Sequence, residues 1–193
     1  MQALLGLLTI APMSGYDLGR LVRASISHMW RESYGQIYPN LKTLAAEGLV
    51  ECRTERQAGR PERRVYSITE KGRAQLAEWL VAPPQPEIPR NEMLLKLFFG
   101  AQTPIDVLIG NVERMVEENS AILKKLQRTE RDEIDKNPQY PDAPFWKMAA
   151  RFGQMEMKAH LKWAEETLAE LKRLATKQQN LSKSHKEKKH ASI

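Results

Sequence analysis

Apolar residues recur along the first 46 residues at helical spacing, in three short groups. The first group contains Leu4 and Leu8, the second follows Ser14, and the third is centred on Leu41. Steps of three and four residues between apolar positions are typical of helices that bury one face. The pattern therefore predicts three short helices that share a core.

The third helix has two possible starts. Ser33 and Gln36 have the spacing of a capping box, which predicts a start at Tyr34. A start near Tyr38 would instead place Pro39 at the first helical position, where no amide hydrogen is needed. A start at Tyr34 would put this proline inside the helix and bend it slightly.

After the third helix the apolar period changes from about 3.6 to two. Gly48 suits the left-handed conformation that ends a helix. The segments LVECRTER and RRVYSIT then alternate like strands, and QAGRPE between them has turn composition. Thr69 is placed to cap a fourth helix. This part of the chain is therefore predicted to be a strand hairpin followed by a helix.

The chain divides by composition into four segments. Residues 1–82 carry the helices and the hairpin, and the four prolines in residues 83–90 predict a stiff linker. Residues 91–176 have helical periodicity throughout. Residues 177–193 are rich in lysine without apolar periodicity, which predicts disorder. The fold class is therefore mostly α with a small β-wing: an N-terminal winged helix-turn-helix and a C-terminal helical dimerisation domain.

A winged helix-turn-helix offers its third helix and its hairpin to a partner. A helix fits the DNA major groove, and arginine forks suit phosphates or a narrow minor groove. The polar side of the third helix consists of Tyr34, Gln36, Tyr38, Asn40, Lys42 and Thr43. The basic residues at the tip of the wing are Arg60, Arg63 and Arg64. Double-stranded DNA is the predicted partner, and the alternative is a protein-interaction module without a DNA role.

A long apolar seam in the C-terminal half predicts packing against another helix. Its spacing near 3.5 over residues 145–176 is typical of helices paired along their length, and a second copy of the chain would supply the partner. The predicted dimer contacts in this seam are Trp146, Ala150, Met157, Leu161, Ala164, Leu168 and Leu171. Leu4 and Leu8 of the first helix are added to this set.

Charge and composition leave few other function classes. The net charge is +6 with a pI near 9.4, which suits a polyanionic partner. One cysteine excludes an internal disulfide, and together with the absence of a long apolar run this favours a cytoplasmic protein without a membrane segment. Four scattered histidines and no glycine-rich phosphate loop favour neither a metal site, nor a cofactor, nor an enzyme.

The runs GQIYPNLKTLAAEGLV and GRPERRVYSITEKGR resemble the PadR family of bacterial transcriptional regulators. LLGLL and PMSGYDL extend the resemblance upstream, and PRNEMLLKLFFG resembles the opening of the long helical C-terminal domain of its virulence-activator-like branch. The resemblance implies a homodimer that binds a two-fold, palindromic operator, usually as a repressor.

The resemblance also implies site residues. Recognition-helix contacts fall on Ser33, Gln36, Tyr38, Pro39 and Lys42, and wing contacts fall on Arg60, Arg63 and Arg64. Family members often respond to a small aromatic molecule, for which the candidate pocket residues are Trp30, Phe98, Met115 and Trp163.

Three assignments stay open at this point. The hydroxyl of Tyr38 can meet a phosphate, or its ring can pack beside Pro39. Asn119, in the seam register, can fix helix pairing, face solvent or bond internally. The basic tail can be a DNA arm or a solubilising segment.

Overall fold

The computed structural model describes residues 1–26, 29–30, 34–55, 62–86 and 90–190. The chain forms two compact units, residues 1–87 and 88–193. The first unit mixes helices and strands, and the second is helical throughout its described part. No helix in these described ranges is both long enough and apolar enough to cross a bilayer.

The first unit contains the predicted helices. They are α1 (Gln2–Leu8), α2 (Gly15–Ser25), α3 (Tyr34–Ala46) and α4 (Glu70–Val81). The Ser14 side chain accepts from the Asp17 amide and the Asp17 side chain accepts from the Ser14 amide, so the predicted capping box opens α2. Thr69 caps α4 by accepting from the Gly72 amide at 3.0 Å.

The sheet has one strand more than the sequence predicted. Strands β2 (Val50–Glu55) and β3 (Arg63–Ile68) form the expected antiparallel hairpin. A two-residue strand, β1 (Met13–Ser14), pairs with the other edge of β3, so the strand order is β1-β3-β2. Because β1 runs directly into α2, the base of the wing is joined to the start of that helix.

The predicted start of α3 at Tyr34 is confirmed, and the alternative start near Tyr38 is wrong. Pro39 therefore lies inside the helix and removes one amide donor from the i to i−4 ladder. Gly48 has φ 71°, and the amide of Leu49 donates to the Leu44 carbonyl at 2.9 Å. This backbone arrangement ends α3 as the glycine predicted.

The core of the first unit excludes two predicted dimer contacts. Leu4 is 0% exposed and Leu8 is 2% exposed, and both pack in the cluster that also holds Ile37, Leu41 and Leu44. A side chain with so little free surface has none to offer a second copy. The prediction that Leu4 and Leu8 contact a partner chain is therefore wrong, and α1 is a core helix of the winged domain.

The second unit is built on a helical hairpin. Helix α5 (Glu92–Phe98) and a single 3₁₀ turn precede α6 (Ile105–Thr129). A π-helical segment, Glu130–Ile134, and a turn lead to α7 (Ala143–His190). With 48 residues, α7 is about 72 Å long at ~1.5 Å per residue.

The long seam of α7 packs mainly against α6 of the same chain. Ala164 and Leu171 are buried with Leu108 and Val112 of α6, and Leu168 and Trp163 pack around them. Among the other residues assigned to a partner chain, Ala150 and Met157 are buried, and Trp146 and Leu161 are half-buried. The seam therefore has a partner helix within the same chain, and contact of these residues with a second copy stays a prediction.

Helix α7 continues through Lys177 to His190, over a segment that composition predicted to be disordered. Lysine, glutamine, glutamate and alanine are good helix formers even without an apolar stripe. The last three residues lie outside the described part of the chain.

Asn119 of α6 is 9% exposed, so the prediction that it faces solvent is wrong. A buried side-chain amide without a partner destabilises a core by about 1–3 kcal/mol. Internal bonding and a role in helix pairing therefore both stay predictions.

Candidate nucleic-acid interface

Helix α3 presents a polar face outside a buried one. Ile37, Leu41 and Leu44 are at most 1% exposed and anchor the helix. The exposed residues that were predicted to contact DNA are Gln36, Tyr38, Pro39 and Lys42, and Asn40 is half-buried. Tyr34 begins the helix, but its side chain and the whole of Ser33 lie outside the described residues. The structure therefore leaves four of the predicted contacts exposed on α3.

Tyr38 is held against the start of α2. A Cβ built on Gly15 would lie 2.7 Å from Cε1 of the Tyr38 ring, so the ring packs on the bare backbone of this glycine. The side of the ring away from Gly15 is open, because Tyr38 is 52% exposed. The packing surface is therefore Gly15, where the sequence suggested Pro39, and the residue remains accessible to a ligand.

The two described wing arginines lie at the end of the β2–β3 ladder that is next to the connecting turn. Arg63 pairs with Glu55 and Arg64 pairs with Thr54 in the register of β2 and β3. Adjacent residues of a strand project to opposite faces of the sheet. Both arginines are exposed, and their Cα–Cβ bonds point to opposite faces of the hairpin. Arg60, the third predicted contact, lies outside the described residues.

Arg63 forms an ion pair with Asp17 of α2. Its Nη2 donates to Asp17 Oδ2, and the same oxygen accepts from the Ser14 hydroxyl at 2.5 Å. The side chains of Arg63 and Asp17 are 49% and 33% exposed. The pair thus links β3 of the wing to the capping box of α2, across 46 residues of sequence.

The electrostatics of this cluster favour the ionised carboxylate. The hydrogen bond from the Ser14 side chain is the main cause that lowers the pKa of Asp17, and the charge of Arg63 lowers it further. Nearby on β3, burial raises the pKa of the Tyr66 hydroxyl above its ordinary value. Asp17 is therefore a fixed negative charge near neutral pH.

Sequence reasoning missed Asp17 as a member of this site. The capping-box spacing identified the residue, but only as the cap of α2. Its second role depends on the pairing of β1 with β3, and β1 has only two residues. A strand this short has no periodicity to detect.

The candidate effector residues are distributed over both units. Met115 and Trp163 pack around the same core cluster between α6 and α7. Phe98 is 81% exposed and meets Phe99 edge-to-face at 5.1 Å. Trp30 belongs to the first unit and is 43% exposed. The structure thus brings two of the four together.

A second exposed surface lies on the first turns of α7. Phe145, Met148, Phe152 and Met155 are each 63–68% exposed and follow one another at steps of three and four residues. We call these four residues the apolar stripe. Helix α5 and the residue after it add four exposed apolar side chains, which are Leu94, Leu95, Phe98 and Phe99.

An open groove of about 620 Å³ borders the apolar stripe, with Lys147, Arg151 and Lys158 among its lining residues. None of the four candidate effector residues lines it. Exposed apolar side chains in such a group are typical of a surface that meets another molecule.

Comparison with known proteins agrees with this geometry. Residues 4–78 match the transcriptional regulator PadR-like family, and residues 89–172 match the virulence activator alpha C-terminal family. The negative transcriptional regulator PadR of Bacillus subtilis is 37% identical over 98 residues, which are 50% of this chain and 54% of that protein. The matched part therefore spans about half the length of this curated relative.

Solved structures match over nearly the whole chain. PadR of B. subtilis in complex with operator DNA has a TM-score of 0.73 at 27% identity and covers 88% of this chain and 97% of its own. The Vibrio cholerae virulence activator AphA has a TM-score of 0.70 at 28% identity, with coverage of 90% and 98%. A structure of B. subtilis PadR with p-coumaric acid has a TM-score of 0.64 at 25% identity, with coverage of 89% and 97%.

The segments that match the two families coincide with the two structural units, in the same order along the chain. The chain belongs to the PadR-like family of transcriptional regulators, in the branch with a virulence-activator-alpha C-terminal domain.

Proposed function

We propose that this protein is a sequence-specific DNA-binding repressor that acts as a homodimer on a two-fold operator. The observation that carries the proposal is the exposed polar face of α3, held by three buried residues of the same helix. The operator complex of a relative with the same fold supports it. Action on chromosomal DNA would place the protein in the cytoplasm.

The exposed face divides chemically into readers and anchors. An amide can pair bidentately with adenine, so Gln36 is the best base reader on the exposed face. Lys42 is a flexible point charge and suits a phosphate, and Arg64 suits a phosphate beside the wing. Ser33 and Arg60 remain predicted contacts on the strength of the family resemblance.

The apolar stripe is the proposed contact with a second copy. Contiguous exposed aromatic and methionine side chains are rare on monomers, and they are enriched at interfaces between proteins. The stripe replaces the α7 seam that the sequence suggested, because α6 covers that seam. One chain has one α3, and a two-fold site requires two.

Repression and response to an effector are the finer parts of the proposal. A relative is named a negative regulator, and its complex with p-coumaric acid supports a small aromatic ligand for this chain. Met115 and Trp163 are the proposed pocket residues, since they share one core cluster. An effector that binds the DNA-free form more tightly would release the operator.

Selection of bound duplexes from a random pool, with the stoichiometry measured, tests the central claim. We expect an inverted repeat bound by two chains. A chain that selects no sequence, at any ionic strength, would contradict it and favour a protein-interaction module.

A matched pair of variants separates readers from anchors on the selected operator. Gln36→Ala should reduce discrimination between the operator and a one-base variant, by about 1–3 kcal/mol at the base that it reads. Lys42→Ala should weaken binding to both duplexes equally and reduce the salt slope by about one unit per chain, or about two units for the dimer. Equal effects of the two variants on discrimination would remove Gln36 as a base reader.

A further inference from the structure

We propose that Asp17 is a positioning residue that holds Arg63 of the wing against the start of α2 and keeps it away from DNA phosphates. Of the two described wing arginines, only Arg64 then acts as a phosphate contact. This inference rests on the proposed DNA-binding function. It assigns different roles to Arg63 and Arg64, which the sequence analysis predicted to act alike.

Arg63 is paired with a carboxylate that is itself held in place. The guanidinium of Arg63 donates to Asp17 Oδ2, which the Ser14 hydroxyl and amide already fix at 2.5 Å and 3.3 Å. Both partners of this pair stand on anchored backbone: Asp17 in the first turn of α2, and Arg63 in β3, where it pairs with Glu55 of β2. The pair therefore ties the wing to α2.

Arg63 and Arg64 are adjacent residues of β3 and point in opposite directions. Arg63 and Arg64 project to opposite faces of the hairpin, and Asp17 is on the side of Arg63. A wing that laid Arg64 on the DNA backbone would keep Arg63 on the other face, where its charge is already matched.

Removal of Arg63 from the ion pair would leave the Asp17 carboxylate without its cation. The capping box keeps Asp17 ionised whether or not Arg63 is present, since the Ser14 hydrogen bond is the main cause of its lowered pKa. Asp17 lies two residues from Gly15, on which the exposed Tyr38 of the DNA-facing helix packs. A phosphate that drew Arg63 away would expose a carboxylate close to the DNA, so the pair stays closed.

The test compares salt dependence of DNA binding in four variants. Asp17→Asn removes the charge but keeps an oxygen that can accept from Ser14. It should free Arg63 in both chains of the dimer and steepen the slope of log K against log salt by about 1.8, that is ~0.9 for each added phosphate contact. Adding Arg63→Ala to Asp17→Asn should return the slope to that of the unaltered protein. Arg64→Ala alone should make the slope shallower by about 1.8.

Glu55→Gln is the matched control, because Glu55 is exposed and lies opposite Arg63 in the strand register. It makes the same change in net charge without breaking the pair. An equal steepening by Glu55→Gln, or an unchanged slope in Asp17→Asn, would overturn the proposal.

Heparin elution separates this inference from the proposed function. Heparin presents negative charges without a duplex, so it reports the availability of Arg63 even for a chain that binds no DNA. Asp17→Asn should elute at higher salt than the unaltered protein, and the double variant should not. Co-elution of Asp17→Asn with the unaltered protein would overturn the inference. A chain that binds heparin as expected but binds no duplex would contradict only the DNA-binding function.

Discussion

Tyr38 and Gly15 form a contact in which the absence of one side chain sets the place of another. The ring of Tyr38 lies where a Cβ on residue 15 would be, so only glycine permits this position. Because the tyrosine is half exposed, the contact orients the residue without burying it. Its hydroxyl can then meet a phosphate in a fixed direction.

Gly15→Ala should displace the Tyr38 ring and weaken operator binding by at least about tenfold for each half-site, or about a hundredfold for the dimer. A hydrogen bond to a charged group contributes roughly 1.5–3 kcal/mol, and ~1.4 kcal/mol corresponds to tenfold in affinity. The free energy of unfolding should change by less than ~1 kcal/mol, because a half-exposed ring can rotate away. Fluorescence anisotropy and chemical denaturation measure the two quantities.

The Tyr38→Ala variant provides the control for this prediction. If the glycine acts through the tyrosine, the loss of affinity in the double variant should equal that of Tyr38→Ala alone. Additive losses would show that the two residues affect DNA binding independently.

At the scale of elements, the junction between α3, the hairpin and α4 depends on glycine for a different reason. A Cβ on Gly72 would lie 2.1 Å from the carbonyl oxygen of Leu49, which is backbone and cannot rotate away. The Thr69 amide donates to this same oxygen at 3.1 Å. The close approach of α4 to the end of α3 therefore excludes a side chain at position 72.

Gly72→Ala should lower the free energy of unfolding by about 3 kcal/mol, since overpacking against a fixed backbone forces the elements apart. Chemical denaturation of the full chain measures the change. Gly6→Ala is the control in the same unit, because a Cβ there meets nothing within 4 Å. It should raise stability by up to ~1 kcal/mol, the usual gain from alanine in a helix. A Gly72→Ala variant as stable as the unaltered protein would show that α4 can shift.

The elements show what local sequence can and cannot predict. Caps and turn residues act within four positions, so Ser14, Gly48 and Thr69 correctly marked three helix ends. The apolar period of α7 correctly predicted a packed face. The period does not identify the partner helix, because α6 and a helix of a second chain would both fit the same spacing.

In the candidate site too, some features were predictable from local sequence and others were not. The exposed face of α3 follows from its period, so Gln36 and Lys42 were placed correctly on the surface. The partner of Arg63 was not predictable, since it depends on a strand pairing between residues far apart in the chain. Tyr66 and Ile68 were separated from the wing contacts, and the structure places Tyr66 in the core of the first unit with Ile68 packed against it.

At the scale of the whole molecule, the apolar surface that remains exposed is the strongest argument for assembly. The α6–α7 hairpin buries one side of α7, but the apolar stripe on another side remains at 63–68% exposure. Covering these four side chains in a second copy would stabilise a dimer at roughly 25 cal/mol per Å² of apolar area removed from water. The stripe is therefore the place to break the proposed dimer without damaging either unit.

Phe152→Glu should convert the dimer into monomers, because two carboxylates would be buried in an apolar contact. Light scattering after size exclusion measures the mass, and circular dichroism should show unchanged helicity. Affinity for an inverted repeat should fall on the order of 10²–10⁴-fold, since one chain loses the gain from joint binding of two half-sites. Glu165→Lys, an exposed charge change outside the stripe on α7, should leave mass and affinity unaltered. A Phe152→Glu protein that remains dimeric would place the contact elsewhere, whereas a monomer that retains full operator affinity would show that one α3 suffices.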